Sequence, residues 1–135
     1  MRLRPLTKDI QKCLLPINGK PMLEWWLDSV FASAFFSEVK VNVHYLAADV
    51  VRWICKYELK TGHEVSIINE TDGLLGTAGT LRKYAPRDDD FMAAYTDTYS
   101  TKVLDDLCFY AGLWQYQRKD VMAGLISMNP PNDGS

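Results

Sequence analysis

The chain has 135 residues, of which 47% are hydrophobic and 24% charged, and carries a formal net charge of −2. That length fits one domain, that composition argues against disorder, and the slight acidity provides no basic excess with which to grip a nucleic-acid backbone. Cys13, Cys55, Cys108, His44 and His63 fall in no zinc spacing, no apolar run approaches the roughly 20 residues of a membrane helix, and no signal-like leader opens the chain.

Residues 1–19 read as loop, punctuated by Pro5 and Pro16 and closed by the turn pair Asn18-Gly19. Pro21 suits the first position of a helix over 21–34, where Met22, Leu23, Trp26, Leu27 and Val30 recur at three- and four-residue spacing. Val39, Val41 and Val43 alternate with polar residues and predict a strand. A helix follows over 47–60, with Val50, Val51, Ile54 and Tyr57 on one side and Thr61-Gly62 as its stop. A short strand at 65–68, a short helix at 77–84 ended before Pro86, and an apolar strand at 91–95 come next. The apolar run at 91–95 predicts a strand buried on both faces. A helix over 101–117 and a fourth apolar strand over 121–128 complete the series, before a turn-like tail. Alternating strand and helix predict an α/β fold with a mostly parallel sheet, in a single domain spanning 1–135. Such sheets place ligands at the carboxyl ends of their strands.

Four segments could carry chemistry. Arg2, Arg4 and Lys12 lie in a turn-rich stretch, where cations either clamp phosphates or are simply solvated. Asn42-Val43-His44 ends the first predicted strand, and His44 there is either an acid or base or a structural group. Leu75-Gly76-Thr77-Ala78-Gly79 opens a helix with small residues, which permits close approach of a ligand or only a tight helix entry. Asp97 follows the 91–95 segment, where a carboxylate either holds a metal near phosphates or caps a turn. The run Asp88-Asp89-Asp90 reads as a solvated loop.

Taken in order, these segments resemble the sugar-phosphate nucleotidyltransferases, which join a sugar 1-phosphate to a nucleoside triphosphate. The resemblance rests on Arg2-Leu3-Arg4-Pro5-Leu6-Thr7, on Lys12-Cys13-Leu14-Leu15-Pro16-Ile17, on Gly19-Lys20-Pro21-Met22, on Asn42-Val43-His44-Tyr45-Leu46-Ala47, on Gly76-Thr77-Ala78-Gly79 and on Tyr95-Thr96-Asp97. It implies a three-layer sandwich around a Rossmann-like sheet. It also implies that Arg2 contacts the triphosphate, that Lys12 bridges phosphate oxygens, that Gly76, Thr77, Ala78 and Gly79 frame the base, and that Asp97 holds Mg²⁺. Gln11 stands where the family has Pro, and Thr96 where it has Gly. The glycine-rich phosphate loop and the strand before it are not in this sequence, and the family's second metal carboxylate would lie beyond residue 135.

The resemblance therefore predicts weak or no transfer by this chain alone. The alternative is a non-catalytic, oligomeric remnant acting as a nucleotide-binding or protein-interaction module. The family's central strand would separate 39–43 from 91–95. Those two strands must then pair directly or be covered by another chain, most simply in a twofold homodimer. The expected setting is the cytoplasm, with reduced thiols and neither membrane nor nucleic acid as partner.

Overall fold

Asn18 and Gly19 both take positive φ, 51° and 77°. That is the combination a two-residue hairpin turn with the twist of its strands requires, and Asn-Gly adopts it at least cost. The turn joins two short antiparallel strands, β1 (Pro16–Ile17) and β2 (Lys20–Pro21). The computed structural model describes residues 10–96 and 103–117. A single turn of 3-10 helix at Lys12–Leu14 precedes the hairpin. Helix α1 (Met22–Ser33) follows directly, with Pro21 just outside its first turn. The Trp25 indole N–H donates to the Ile17 carbonyl at 3.0 Å and fixes the hairpin against the helix. Lys20 pairs with Asp28 and lies 4.3 Å above the Trp25 ring.

The centre of the fold is a βαβ unit: β3 (Lys40–Val43), α2 (Ala47–Thr61) and β4 (Ser66–Asn69). β3 and β4 pair in parallel, Val41 opposite Ile67 and Val43 opposite Asn69. Parallel neighbours need a crossover, and α2 supplies it. Gly62 ends α2 at φ 76°, its N–H returning to the Glu58 carbonyl at 2.8 Å. Leu23 and Leu27 of α1, Val43 of β3, Val50, Ile54 and Tyr57 of α2, and Val65 form one buried cluster. Three side-chain links tie α1 to α2 and to the turn just after it. Tyr57 donates to Asp28 at 2.7 Å, Lys60 pairs with Glu24 at 3.2 Å, and His63 stacks on Phe31 at 4.1 Å. Burial, and then the Asp28 carboxylate, push the Tyr57 phenol well above its ordinary value. Two more helices follow, α3 (Gly76–Tyr84) and α4 (Val103–Gln117), and α4 packs against α1.

The expected α/β class is observed, with a sheet of two parallel strands among the described residues. The expectation for 91–95 fails. These residues form no strand, and Phe91 and Tyr95 are 52% and 65% exposed. A strand exists only as part of a hydrogen-bonded ladder, and among the described residues none runs beside 91–95. Direct pairing of this segment with β3 does not occur either. The expected strand at 121–128 lies outside the described residues. No described helix is long and apolar enough to cross a membrane.

Ile54 is completely buried, whereas Leu59 on the same helix is 88% exposed. Ile54→Ala should therefore lower unfolding stability by about 2–5 kcal/mol. Leu59→Ala should stay within about 0.5 kcal/mol in urea titration.

Candidate functional site

The carboxyl ends of β3 and β4 open onto a cluster organised by Glu70. This side chain directly follows β4 and is only 3% exposed. An ionised carboxylate buried this far needs donors. Thr80 of α3 donates its hydroxyl to one oxygen, and the Leu75 backbone N–H donates to the other at 3.4 Å. The Thr80 hydrogen bond, then those from Asn42 and Leu75, and the nearby His44 hold the Glu70 carboxyl below its ordinary value against the cost of burial. The backbone of Glu70 is equally engaged. Its N–H donates to Val43 at 2.9 Å, and its carbonyl accepts from Gly73 at 3.2 Å. His44 Nδ1 lies 2.8 Å from the same carbonyl. A carbonyl can only accept, so Nδ1 carries the proton and His44 joins the ends of the two strands. The structural reading of His44 is the one this geometry supports.

Glu70 thus docks the start of α3 onto the end of β4. Gly76 begins the helix at φ 69°, a conformation that suits glycine. Leu75 precedes it and no side chain caps the helix. Gly76, Thr77 and Ala78 are exposed, and Gly79 is partly buried. A Cβ on Gly79 would stand 3.0 Å from Leu75 Cβ, so a larger residue there would push the entry loop away. The Thr77 hydroxyl shares a 2.8 Å hydrogen bond with the Tyr95 hydroxyl. This bond ties the segment leading to Asp97 to the first turn of α3.

Lys12 is exposed and forms no ion pair among the described residues. Its neighbour Cys13 packs against the core, where burial pushes the thiol up to about 11. Gln11, on its other side, donates its amide to the Tyr45 carbonyl just past β3. The Lys12 turn is thereby held to the end of β3, and β3 is held through His44 to Glu70 and α3. Of the residues predicted from sequence, the structure places Lys12, Gly76, Thr77, Ala78 and Gly79 around this strand end. Arg2 and Asp97 lie outside the described residues. Sequence reasoning missed Glu70, Thr80, Tyr95 and Gln11 as organising groups. The available signal was an acid directly after an apolar strand, followed by Thr71-Asp72-Gly73 and a small-residue helix entry.

A Mg²⁺ ion does not fit the described residues alone. Among them no three metal-ligating side chains converge, and both Glu70 oxygens already accept hydrogen bonds. A shallow depression of about 630 Å³, lined by Cys55, Leu59, His63 and Glu64 among others, lies at the far end of the βαβ unit, where α2 hands over to β4. Its place at the amino end of β4 makes it the poorer candidate in a parallel sheet.

A parallel βαβ unit with a glycine-started helix docked at its strand ends is an α/β arrangement, and such sheets place ligands at the carboxyl ends of their strands. The chain belongs to the nucleotidyl transferase family, whose model matches residues 1–103. It is similar to the mannose-1-phosphate guanyltransferase of Yarrowia lipolytica, 36% identical over 81 residues that cover 60% of this chain and 22% of that one. It is also similar to a putative mannose-1-phosphate guanyltransferase of Sulfolobus acidocaldarius, 32% identical over 102 residues, covering 73% of this chain and 27% of the relative. A UTP–glucose-1-phosphate uridylyltransferase of Synechocystis is 27% identical over 143 aligned positions, covering 98% of this chain and 35% of the relative. The chain therefore spans between 22% and 35% of the length of these relatives. No solved structure matches it.

Glu70 supplies a pH test. Because its folded carboxyl titrates below the ordinary carboxylate range, its contribution to stability is complete above that range. The contribution is lost as pH falls through the folded value. Glu70→Gln should lower the urea midpoint at pH 7, and the gap from wild type should narrow on acidification to pH 3. A gap that stays constant with pH would show that the carboxylate is not held in its charged form.

Proposed function

We propose that this chain carries part of the nucleoside-triphosphate site of a sugar-1-phosphate nucleotidyltransferase. The observation that supports this most is the Glu70-anchored start of α3, in a chain matched by the nucleotidyl transferase family. Gly76, Thr77, Ala78 and Gly79 present backbone and small side chains against which a base can lie. Lys12 is an exposed cation held to the same strand end and suits a phosphate oxygen. Arg2 would meet the triphosphate. In the reaction the family implies, an oxygen of the sugar 1-phosphate forms a bond to the α-phosphorus while the bond to the β-phosphate oxygen breaks and pyrophosphate leaves. The protein's share is positioning and charge neutralisation. Asp97 is the residue proposed for Mg²⁺, since the described carboxylates do not make such a site.

In the proposed complete fold the two parallel strands belong to a three-layer, mostly parallel Rossmann-like sheet, with 1–135 in one domain. Residues 91–95 would join it as a strand once a neighbour lies beside them. Turnover by this chain alone is expected to be weak or absent, because the relatives carry much more chain than the part matched here. The second reading, a nucleotide-binding module without turnover, draws on the same exposed helix entry. Cys13, Cys55 and Cys108 are all free thiols, in keeping with the proposed cytoplasmic setting.

Calorimetric titration with GTP and UTP in the presence of Mg²⁺ tests the binding claim. Wild type should bind at least one of them, and Lys12→Ala should weaken that binding about tenfold, the loss of one charged hydrogen bond. Gly79→Val should abolish it while leaving the circular-dichroism spectrum intact. Absence of binding to any nucleoside triphosphate would defeat both readings, and pyrophosphate release would separate them.

A further inference from the structure

Most of the Tyr95 surface is exposed, yet its hydroxyl is held. It shares a 2.8 Å hydrogen bond with the hydroxyl of Thr77, in the first turn of α3. Glu70 holds that turn in its place: Thr80 donates to its carboxylate from within the helix, and the Leu75 N–H donates from just before it. Tyr95 thus reaches the docked helix entry through its polar tip and leaves most of its surface to solvent. A tyrosine ring held by its hydroxyl offers a rigid apolar contact at little entropic cost, because only two side-chain torsions need fixing. Gly76 and Ala78, the exposed residues on either side of Thr77, carry no side chain large enough to cover it. Phe91 is exposed as well, but it has no polar atom with which to fix its ring.

We propose that the Tyr95 ring is the surface on which the nucleotide base stacks, a role that none of the other residues assigned to the nucleotide can fill. Gly76, Thr77, Ala78 and Gly79 have no π-face, and Lys12 suits an anion. The face of an aromatic ring carries negative charge density, so it accepts a flat, uncharged base and repels phosphate oxygens. Base and triphosphate are thereby divided between two kinds of group, the ring tied to the start of α3 and the cation held to the end of β3. Every base has a π-face, so stacking serves purine and pyrimidine alike. The hydroxyl pair is equally permissive. Whichever oxygen donates within it, the other keeps its hydrogen for a base carbonyl, and both keep lone pairs for a base amino group. Tyr95 therefore adds affinity for the base without choosing it, and the choice between guanine and uracil falls to other residues. The inference rests on the nucleotide reading proposed for this site.

Calorimetric titration of the full chain with UTP, GTP and tripolyphosphate, each with Mg²⁺, separates base from phosphate. Tyr95→Leu should weaken UTP and GTP about tenfold each, the loss of one base–aromatic stack, and leave tripolyphosphate binding unchanged. Tyr95→Phe keeps the ring, loses only the tie to Thr77, and should retain most of the affinity. A residue that merely shaped the helix entry would weaken all three ligands, and Tyr95→Phe would then be as damaging as Tyr95→Leu. A second measurement uses the wild-type chain and so needs no variant to fold. The ring proton signals of Tyr95, assigned from its backbone resonances, should shift on addition of UTP or GTP and stay in place with tripolyphosphate. Unchanged UTP and GTP affinity in Tyr95→Leu, an equal loss for tripolyphosphate, a Tyr95→Phe variant as weak as Tyr95→Leu, or ring signals that ignore the base would overturn the inference and leave the nucleotide reading standing. A wild-type chain that binds no nucleoside triphosphate would overturn both.

Discussion

A carboxylate buried at the end of a strand must find hydrogen-bond donors close by, because water cannot supply them. Glu70 meets that constraint with Thr80 and the Leu75 N–H, both from the segment that starts α3. The position of α3 follows from this. The helix entry is drawn over the ends of β3 and β4, and its first residues remain at the surface. His44 and Asn42 complete the surroundings of the same acid, so the ends of both parallel strands are committed to it. The polar cluster and the apolar core also meet: Val43, which is buried in the core, accepts the Glu70 N–H.

The core fixes the other half of the arrangement. Ile54 and its neighbours hold α2 across the β3–β4 pair, which sets the strand ends at which Glu70 stands. Ahead of the hairpin, Cys13 packs against the same core while Gln11 reaches the Tyr45 carbonyl. Lys12 lies between these two anchors. An exposed cation on a long side chain is ordinarily uninformative. Here the residues on both sides of it are restrained, so its backbone is held while its side chain stays exposed.

Much of this was legible in the sequence. Alternation in 39–43, the helical spacing of Val50, Ile54 and Tyr57, the Thr61-Gly62 stop and the Asn18-Gly19 turn each encode local geometry, and each appears within a residue or two of its expected place. Local geometry is what short-range patterns record. Residues 91–95 show the limit: the same apolar pattern specifies a strand only where a partner offers a ladder. Glu70 shows another limit. Its role depends on Thr80, ten positions away, and on His44, 26 positions away, pairings that no periodicity reports. The functional reading in turn came from the order of several weak segments, which the nucleotidyl transferase family match over 1–103 supports.

The central claim is that nucleotide meets the chain at the Glu70-anchored start of α3. Backbone amide chemical shifts followed during titration with GTP or UTP report on this residue by residue. Saturable changes should concentrate on Gly76, Thr77, Ala78, Gly79 and Lys12, leaving Cys55, His63 and Glu64 at the far end of the βαβ unit unmoved. Changes centred on those far-end residues, or none anywhere, would contradict it.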